Sequence, residues 1–218
     1  MAPRLVDRLR RTAVERDHGR YREWGLKARF DELGHPPILE LLEHLLPFEA
    51  PYTRRLLVAT RSGWTAIFDN SRGGGDPTPP TSYLAAGDVH GVIATHIPRE
   101  QYSLPSTQFH LLGPNGEPPL FYVRTVEAGV YDSGRWEFET WGQPLPFEET
   151  DAYARRLVRD RFNRDLLLRY LAALEIAADD PHFYGEGVLV QQRGLLRRPW
   201  RGPLDRARKE CLGELPWS

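Results

Sequence analysis

The chain has few of the features that mark secreted, disulfide-bonded or membrane proteins. Its single cysteine, Cys211, excludes an intrachain disulfide and a cluster of thiolate metal ligands. No stretch approaches the ~18 consecutive apolar residues of a membrane-spanning helix. The basic residues 1–11 contain no apolar segment of the kind found in a secretory signal. We therefore expect a cytoplasmic protein without membrane contact.

Motifs for hydrolytic, metal-dependent and nucleotide-dependent chemistry are also missing. The sequence contains neither Gly-x-Ser-x-Gly nor His-Glu-x-x-His. The glycines Gly73–Gly75 lack the lysine and Ser/Thr of a Walker loop, so a flexible connector is predicted there. His90 and His96 share a strand face. A strand of six residues spans about 20 Å, so these two side chains cannot bind one metal ion together. We predict no catalytic residue, no metal site and no cofactor.

The net charge of −1 is unevenly distributed along the chain. Residues 1–29 and 193–218 are basic, whereas residues 30–192 carry 13 basic and 23 acidic side chains. Either the two ends pack on the acidic body and neutralise it, or an acidic face binds a basic partner. The tail around Trp200 is basic and aromatic, but a pI near 6.7 argues against nucleic-acid binding.

The middle of the chain alternates in the way that β-strands do. Leu56–Thr60 and Trp64–Phe68 flank the turn Arg61–Gly63, which predicts a β-hairpin. About six strands joined largely by hairpin turns favour an antiparallel meander in an α+β fold over a parallel α/β sheet. The further strands are predicted at 89–97, 107–112, 120–127 and 135–141.

Apolar residues at helical spacing occur in the sequence both before and after the predicted sheet. Pro36-Pro37 precede an apolar stripe that begins at Ile38, and Asn163 is the predicted N-cap of a stripe that begins at Leu167. We expect a single α+β domain over 1–218, with the C-terminal helices covering one face of the sheet. Its segments are N-terminal helices in 1–48, an antiparallel sheet in 52–142, a helical layer in 146–178 and a basic tail in 194–218.

Candidate binding residues lie at two places on the predicted sheet. One is the hairpin, at its turn and at the end that leads into the following loop, since binding residues concentrate in loops and arginine and tryptophan often anchor interfaces. The other is the strand 135–141, where alternation puts Trp141 on the face opposite Trp136. Aspartates at strand ends are more often turn formers and caps. The candidates are Arg61, Asp69, Asn70, Arg72, Asp76, Glu137, Glu139 and Trp141.

Two strings of the sequence carry a resemblance to a protein family. They are Trp64–Asn70, and Arg135–Phe138 with Gly142, Pro144–Glu148, Tyr153 and Arg161-Phe162 downstream. Over about residues 54–175 they resemble small bacterial proteins of the polymorphic-toxin immunity type. The resemblance implies a protein that acts by binding: it covers or locks the active site of a toxin and catalyses no reaction. It implies no catalytic motif.

Three functional hypotheses follow from these patterns. In the leading one, the acidic body binds a basic protein partner such as a toxin domain. In the second, the chain is a small enzyme with an acidic active-site edge around Asp69–Asp76, where carboxylates would converge on a pocket with a histidine or arginine. In the third, it is a subunit of a larger assembly and docks through its basic tail. The sequence leaves the oligomeric state open.

Overall fold

The computed structural model describes most of the chain between residues 27 and 202. It divides into two compact units, the first formed by Met1–Gly75 with Glu175–Ser218 and the second by Asp76–Leu174. Both units contain antiparallel strands and short helices, so the α+β class is confirmed. The described residues are 27–46, 48–50, 54–70, 89–99, 104–118, 120–131, 133–193 and 200–202, with Arg206 and Lys209.

The first unit is built on a four-stranded antiparallel sheet. In spatial order its strands are β1 (Lys27–Gly34), β9 (Tyr184–Arg193), β3 (Arg54–Thr60) and β4 (Thr65–Asp69). The predicted hairpin is confirmed: β3 pairs with β4, and Thr60 Oγ1 donates a 2.6 Å hydrogen bond to the Trp64 carbonyl across the turn. Strand β9 returns from the C-terminal part of the chain and lies between β3 and β1.

A hydrophobic cluster holds helix α1 (Ile38–Glu43) against this sheet. Leu41 at its centre is completely buried. Gly187 on β9 makes room for it, since a Cβ at that position would lie 2.6 Å from Leu41 Cδ2. The predicted stripe that begins at Ile38 is therefore a core face. Its buried members and their partners are Ile38, Leu41, Leu45, Leu56, Val58 and Leu189.

The second unit contains a four-stranded antiparallel meander. Its strands are β5 (Gly91–Ile97), β6 (Ser106–Glu117), β7 (Tyr122–Val130) and β8 (Trp136–Trp141). Alternation predicts all four, and each strand pairs with the next along the chain. Within the sheet as described, β5 and β8 are the edge strands.

One face of the meander is apolar and contacts helix α3 (Arg164–Ala173). Phe109 on β6 meets Tyr170 on α3 edge to face, with ring centroids 5.9 Å apart. The predicted cap is confirmed, because Asn163 Oδ1 accepts a 3.1 Å hydrogen bond from the Leu166 amide. Among the described residues of this unit, the other helical elements are the 3-10 turn Thr150–Ala154 and helix α2 (Val158–Arg161).

The fold differs from the prediction in the number of sheets. Instead of one sheet of about six strands, the described residues form two four-stranded sheets and a separate pair, β2 (Phe48–Ala50) with β10 (Trp200–Gly202). Strand β1 lies in segment 1–48, for which helices are predicted. Its partner β9 is far away in sequence (Phe30 lies opposite Val190), so no local turn reveals the pairing.

The predicted helical layer over 146–178 is not confirmed as a continuous layer. This segment contains a 3-10 turn and two short helices, of which α3, with ten residues, is the longer. Most of the predicted basic tail over 194–218 lies outside the described residues.

Candidate binding face of the second sheet

The face of the β5–β8 sheet opposite Phe109 carries polar side chains from three adjacent strands. The strand register places Gln108 opposite Glu127 and Glu127 opposite Glu139, so these three residues form one row across the sheet. A second row, centred on Thr125, runs beside it. Residues two apart on a strand share a face, so both rows belong to one surface. This polar face consists of Gln108, His110, Thr125, Glu127, Glu137, Glu139 and Trp141.

Strand β8 contributes two carboxylates and a tryptophan to the edge of the polar face. Trp141 is 43% exposed, and Glu139 is exposed beside it. Glu137 is half-buried and accepts a 2.6 Å hydrogen bond from Ser133 Oγ. Phe138, between the two glutamates, has the opposite parity. The structure therefore brings three predicted binding residues together on one strand.

Glu127 and Glu139 form a cross-strand pair of like charge. They lie directly opposite each other, a position in which Cβ atoms are about 5 Å apart and like charges are destabilising. The Glu127 side chain is only 21% exposed. Burial, and secondarily the Glu139 carboxylate, raises the pKa of Glu127 above its ordinary value of 4.5. A cation placed between these two groups would relieve the repulsion.

The imidazole of His110 lies beside this pair and is largely buried. Its Nε2 is 3.6 Å from Glu127 Oε2, which is too long for a hydrogen bond. Neither ring nitrogen has a hydrogen-bond partner in the described part of the chain. Burial lowers the pKa of His110 to about 4. The ring is therefore neutral at pH 7 and offers one donor and one acceptor.

Tyr131 folds back over the end of β7 toward the same row. Its Oη would lie 3.1 Å from a Cβ on Gly129, so the ring occupies space that a side chain would fill. The hydroxyl is close to Glu127 and Gln108 but makes no hydrogen bond of acceptable geometry to a described residue. Burial, and then the Glu127 carboxylate, raises the pKa of Tyr131 to about 12, so the hydroxyl is protonated at pH 7.

A buried ion pair fixes the end of strand β8. Arg124 on β7 is 2% exposed, and its Nε and Nη2 donate to the two carboxylate oxygens of Glu148 at 2.8 and 2.6 Å. Its Nη1 donates to the carbonyls of Trp141 and Gly142 at 3.1 and 2.8 Å. Gly142 has a φ of +82°, and a Cβ there would lie 2.2 Å from the Val123 carbonyl oxygen. This contact set therefore positions the backbone that carries Trp141.

The remaining hydrogen bonds of Glu148 come from the loop and from a tyrosine. The Leu145 amide donates to its Oε1 at 2.9 Å and Tyr153 Oη to its Oε2 at 2.7 Å. Tyr170 Oη lies 2.8 Å from Tyr153 Oη and accepts a 3.0 Å bond from the Glu149 amide. Burial raises the pKa of Glu148, but the hydrogen bonds outweigh it and hold the pKa below 4.5. Every group in this network is paired, which is typical of a structural element.

The other predicted binding residues lie in the first unit or outside the described residues. Arg61 is exposed in the hairpin turn at one end of β4, whereas Asp69 and Asn70 lie at the other end. Asn70 is completely buried, and its Oδ1 accepts a 2.9 Å hydrogen bond from the first amide of β3. Arg72 and Asp76 are outside the described residues, so an active-site edge over Asp69–Asp76 stays a prediction.

Sequence reasoning did not select Glu127, Tyr131 or the ion pair of Arg124 with Glu148. Alternation assigns Glu127 to a face, but only the register between strands puts it against Glu139. Tyr131 follows the last residue of β7, where the strand period no longer applies. Arg124 has the parity of the apolar face, and this break in the pattern is the signal from which a buried ion pair could have been inferred.

Known proteins provide no relative from which a function could be transferred. No family model, no curated protein and no solved structure matches this chain. Among the described residues, no three His, Cys, Asp or Glu side chains are grouped so that they could hold a metal ion. The described helices include none with the length and apolarity needed to cross a membrane. We therefore infer function from the polar face and from the resemblance over residues 54–175.

Proposed function

We propose that this chain is an intracellular bacterial protein-binding module of the immunity type, which neutralises a toxin by covering its active site. The observation that carries the proposal is the Glu127–Glu139 pair beside the exposed Trp141 on an edge strand. The resemblance over residues 54–175 is the reason for choosing an immunity protein among binding modules. The partner is a basic protein domain.

The energetics of the polar face favour a basic partner. Tryptophan is enriched among the interface residues whose truncation costs about 2 kcal/mol or more. In the free protein Glu139 faces Glu127 and repels it, and a basic partner surface would turn this repulsion into attraction. Carboxylates at an interface also accelerate the encounter with a cationic partner. For a toxin that acts on nucleic acid, the surface to be covered is itself basic.

The two rival hypotheses depend mainly on segments outside the described residues. An enzyme with its active site at the hairpin end needs Asp69 and Asp76 to converge, and Asp76 is not among the described residues. A subunit of a larger assembly would dock through the basic tail, most of which also lies outside them. We place the protein-binding surface on the polar face because Glu127, Glu139 and the exposed Trp141 lie together there.

Affinity capture from the source organism tests this proposal with a matched pair of triple variants. The site variant is Glu137→Gln/Glu139→Gln/Trp141→Ala. The control variant removes two carboxylates and one exposed apolar side chain from helix α1, where Leu39 is 74% exposed. The control is Leu39→Ala/Glu40→Gln/Glu43→Gln. Both variants and the wild type are used as tagged full chains at low and moderate salt, and captured proteins are quantified by mass spectrometry.

We expect one basic protein to be captured in stoichiometric amount by the wild type and by the control variant. The site variant should lose it, and moderate salt should slow its association with the wild type. Capture of the same protein by the site variant in undiminished amount would contradict the proposal. Binding that is insensitive to salt would also contradict it.

A further inference from the structure

Strand β8 is paired on one side only within the sheet as described. Its neighbour is β7, and the direction of each backbone group can be worked out from one bond of that strand. In an antiparallel sheet the N–H and C=O groups of successive residues point alternately toward the two neighbouring strands. The Val130 amide donates to the Pro105 carbonyl at 2.9 Å, so the backbone of Val130 faces β6 and not β8.

The register then determines which groups of β8 point outward. Val130 lies opposite Trp136, so this pair is not hydrogen-bonded and the backbone groups of Trp136 point away from β7. Those of Phe138 and Thr140, two and four residues further on, point the same way. No described residue forms a hydrogen bond with these groups. We call the three N–H and three C=O groups the outer edge of β8.

The contacts of Trp141 agree with this assignment. By the same alternation its backbone faces β7, and its carbonyl accepts a 3.1 Å hydrogen bond from Arg124 of that strand. The backbone groups of Glu137 and Glu139 face β7 as well. Pairing of β8 with β7 therefore leaves the outer edge available for a further strand.

Side chains of different chemistry lie on the two sides of the outer edge. Glu137 and Glu139 belong to the polar face, and Phe138 lies between them on the opposite face. The Arg161 guanidinium lies 5.8 Å from the centre of the Phe138 ring. A strand added at this edge would therefore meet two carboxylates on one face and a phenylalanine on the other.

A second copy of this chain is a poor partner for the outer edge. Antiparallel pairing of the whole of β8 with its copy, centred on Phe138, would put Glu137 of each chain opposite Glu139 of the other. Like charges that lie directly opposite each other are destabilising, and Glu139 already faces Glu127. Charged side chains on an edge strand are a common protection against such self-pairing. Cationic side chains at the same positions would instead be attracted.

We propose that the outer edge of β8 binds an extended segment of the protein partner as an added antiparallel strand, in which two basic residues flank an apolar one. The apolar residue lies opposite Phe138, and the basic residues lie opposite Glu137 and Glu139. Addition of a strand to a sheet edge combines backbone hydrogen bonds, which provide affinity, with alternate side chains, which provide specificity. The proposal rests on the proposed function, since it names the form in which the basic partner binds.

A short peptide with this pattern tests the proposal on the full-length protein. The probe is acetyl-Thr-Lys-Val-Lys-Thr-amide, and binding is followed by two-dimensional NMR of the backbone amides. One analogue has glutamate in place of both lysines. Two others carry a single N-methyl group, either on the valine, whose N–H would point toward β8, or on the second lysine, whose N–H would point away. The methylated peptides have the same composition and charge, so they form a matched pair.

We expect saturable shifts of the amide signals of Trp136, Phe138 and Thr140, larger than those of the residues between them. Methylation of the valine should weaken binding by about fivefold or more, because it removes a hydrogen bond of the ladder. Methylation of the lysine should leave binding unchanged. The glutamate peptide should not bind, since its side chains would lie opposite carboxylates.

Substitutions in the protein test the same edge from the other side. Thr140→Pro removes an outward N–H and no bond to β7, and proline is tolerated on edge strands at such positions. It should weaken peptide binding by about fivefold. Thr140→Val keeps the N–H and should bind like the wild type. Glu137→Gln/Glu139→Gln should weaken binding by about fivefold through the loss of two cross-strand charge pairs. Unchanged amide signals from β6 and β7 check that each variant is folded.

Equal binding of the two methylated peptides would overturn the added strand. So would equal binding of the lysine and glutamate peptides, or the absence of any saturable shift. The methylated peptides are used on the wild type, so they decide the question even if Thr140→Pro does not fold.

The capture experiment separates this proposal from the proposed function. Thr140→Pro retains Glu137, Glu139 and Trp141, which the site variant replaces. Undiminished capture by folded Thr140→Pro, with loss of capture by the site variant, would overturn strand addition and retain the proposed function. Peptide binding at the outer edge, with undiminished capture by the site variant, would reject the proposed function and retain the strand-binding edge.

Discussion

Glu148→Gln should destabilise the second unit strongly, because it removes the charge of a carboxylate that is completely buried. The side chain of Glu148 is 0% exposed and that of Arg124 is 2% exposed. Both oxygens accept from the Arg124 guanidinium, and each accepts one further bond from Leu145 or Tyr153. Glutamine keeps the shape of glutamate, but its N–H₂ group would face a hydrogen-bond donor where a carboxylate oxygen now accepts. Removing one partner of a buried ion pair costs about 3–5 kcal/mol, and we expect about 3 kcal/mol here.

A neighbouring substitution provides the matched control. Glu149 forms an ion pair with Arg169 at 2.6 Å, but these side chains are 46% and 53% exposed. Exposed pairs contribute about 0–1 kcal/mol, so Glu149→Gln should change stability by less than about 1 kcal/mol. Arg124→Met should lower the free energy of unfolding about as much as Glu148→Gln. The double variant should lose much less stability than the sum of the two, because each single change leaves the other partner buried without its counter-charge.

The assay is hydrogen exchange of the full chain in increasing urea, read by mass spectrometry. Peptides from β6 and β7 report on the second unit, and peptides from β3 and β9 report on the first unit. We expect the loss to be confined to the second unit. A loss below about 1 kcal/mol in Glu148→Gln, or additive effects of Arg124→Met and Glu148→Gln, would refute the reasoning.

The pH dependence provides a further check on the same pair. The pKa of Glu148 in the folded chain lies below 4.5, its ordinary value in the unfolded chain. Its contribution to stability is therefore fully present above pH 4.5 and is lost as the pH falls through the folded-state pKa. The difference in the free energy of unfolding between the wild type and Glu148→Gln should shrink in this acid range. A difference that stays constant would contradict a charged Glu148.

Three further predictions concern the polar face and the turn that follows it. His110 takes up a proton near pH 6.5 when unfolded but only at about 4 when folded, so stability should fall by up to about 3 kcal/mol as the pH drops through this range. His110→Phe should remove that part of the pH dependence in urea unfolding, and an unchanged slope would contradict a buried neutral ring. Tyr131→Phe should raise the free energy of unfolding by about 1 kcal/mol, because it removes a buried hydroxyl without a partner; a loss of stability would indicate that the hydroxyl is bonded. Gly142→Ala should cost more than about 2 kcal/mol through the clash with the Val123 carbonyl, whereas Gly134→Ala, with a φ of +68° and open space around it, should cost about 1 kcal/mol. Equal melting temperatures for the two variants would show that the clash is relieved.

The local features of the fold could be predicted from the sequence. The hairpin of β3 and β4, the strands of the meander and the Asn163 cap all depend on residues within about ten positions of each other, and periodicity and turn chemistry report such features. The α+β class follows from them. The separation of Trp141 from Phe138 across β8 follows from the same alternation.

Long-range pairing could not be predicted. Strand β9 inserts between β1 and β3, so that Phe30 lies opposite Val190, and nothing local in either segment specifies that partner. The same limit applies to the polar face. The sequence predicts Glu139 as a binding residue from its place on the strand 135–141. The position of Glu127 opposite Glu139 depends on how the strands are aligned, and this register cannot be read from the sequence.

The binding of the captured partner to the site variant is the measurement that tests the protein-binding function most directly. The purified partner is titrated against the wild type, the site variant and the α1 control variant, and the dissociation constants are compared. We predict that the site variant binds at least about 30-fold more weakly, which corresponds to the loss of about 2 kcal/mol expected for one anchoring tryptophan. The control variant should bind like the wild type. Equal affinity of the site variant and the wild type would show that the partner binds elsewhere and would contradict the assignment of the polar face.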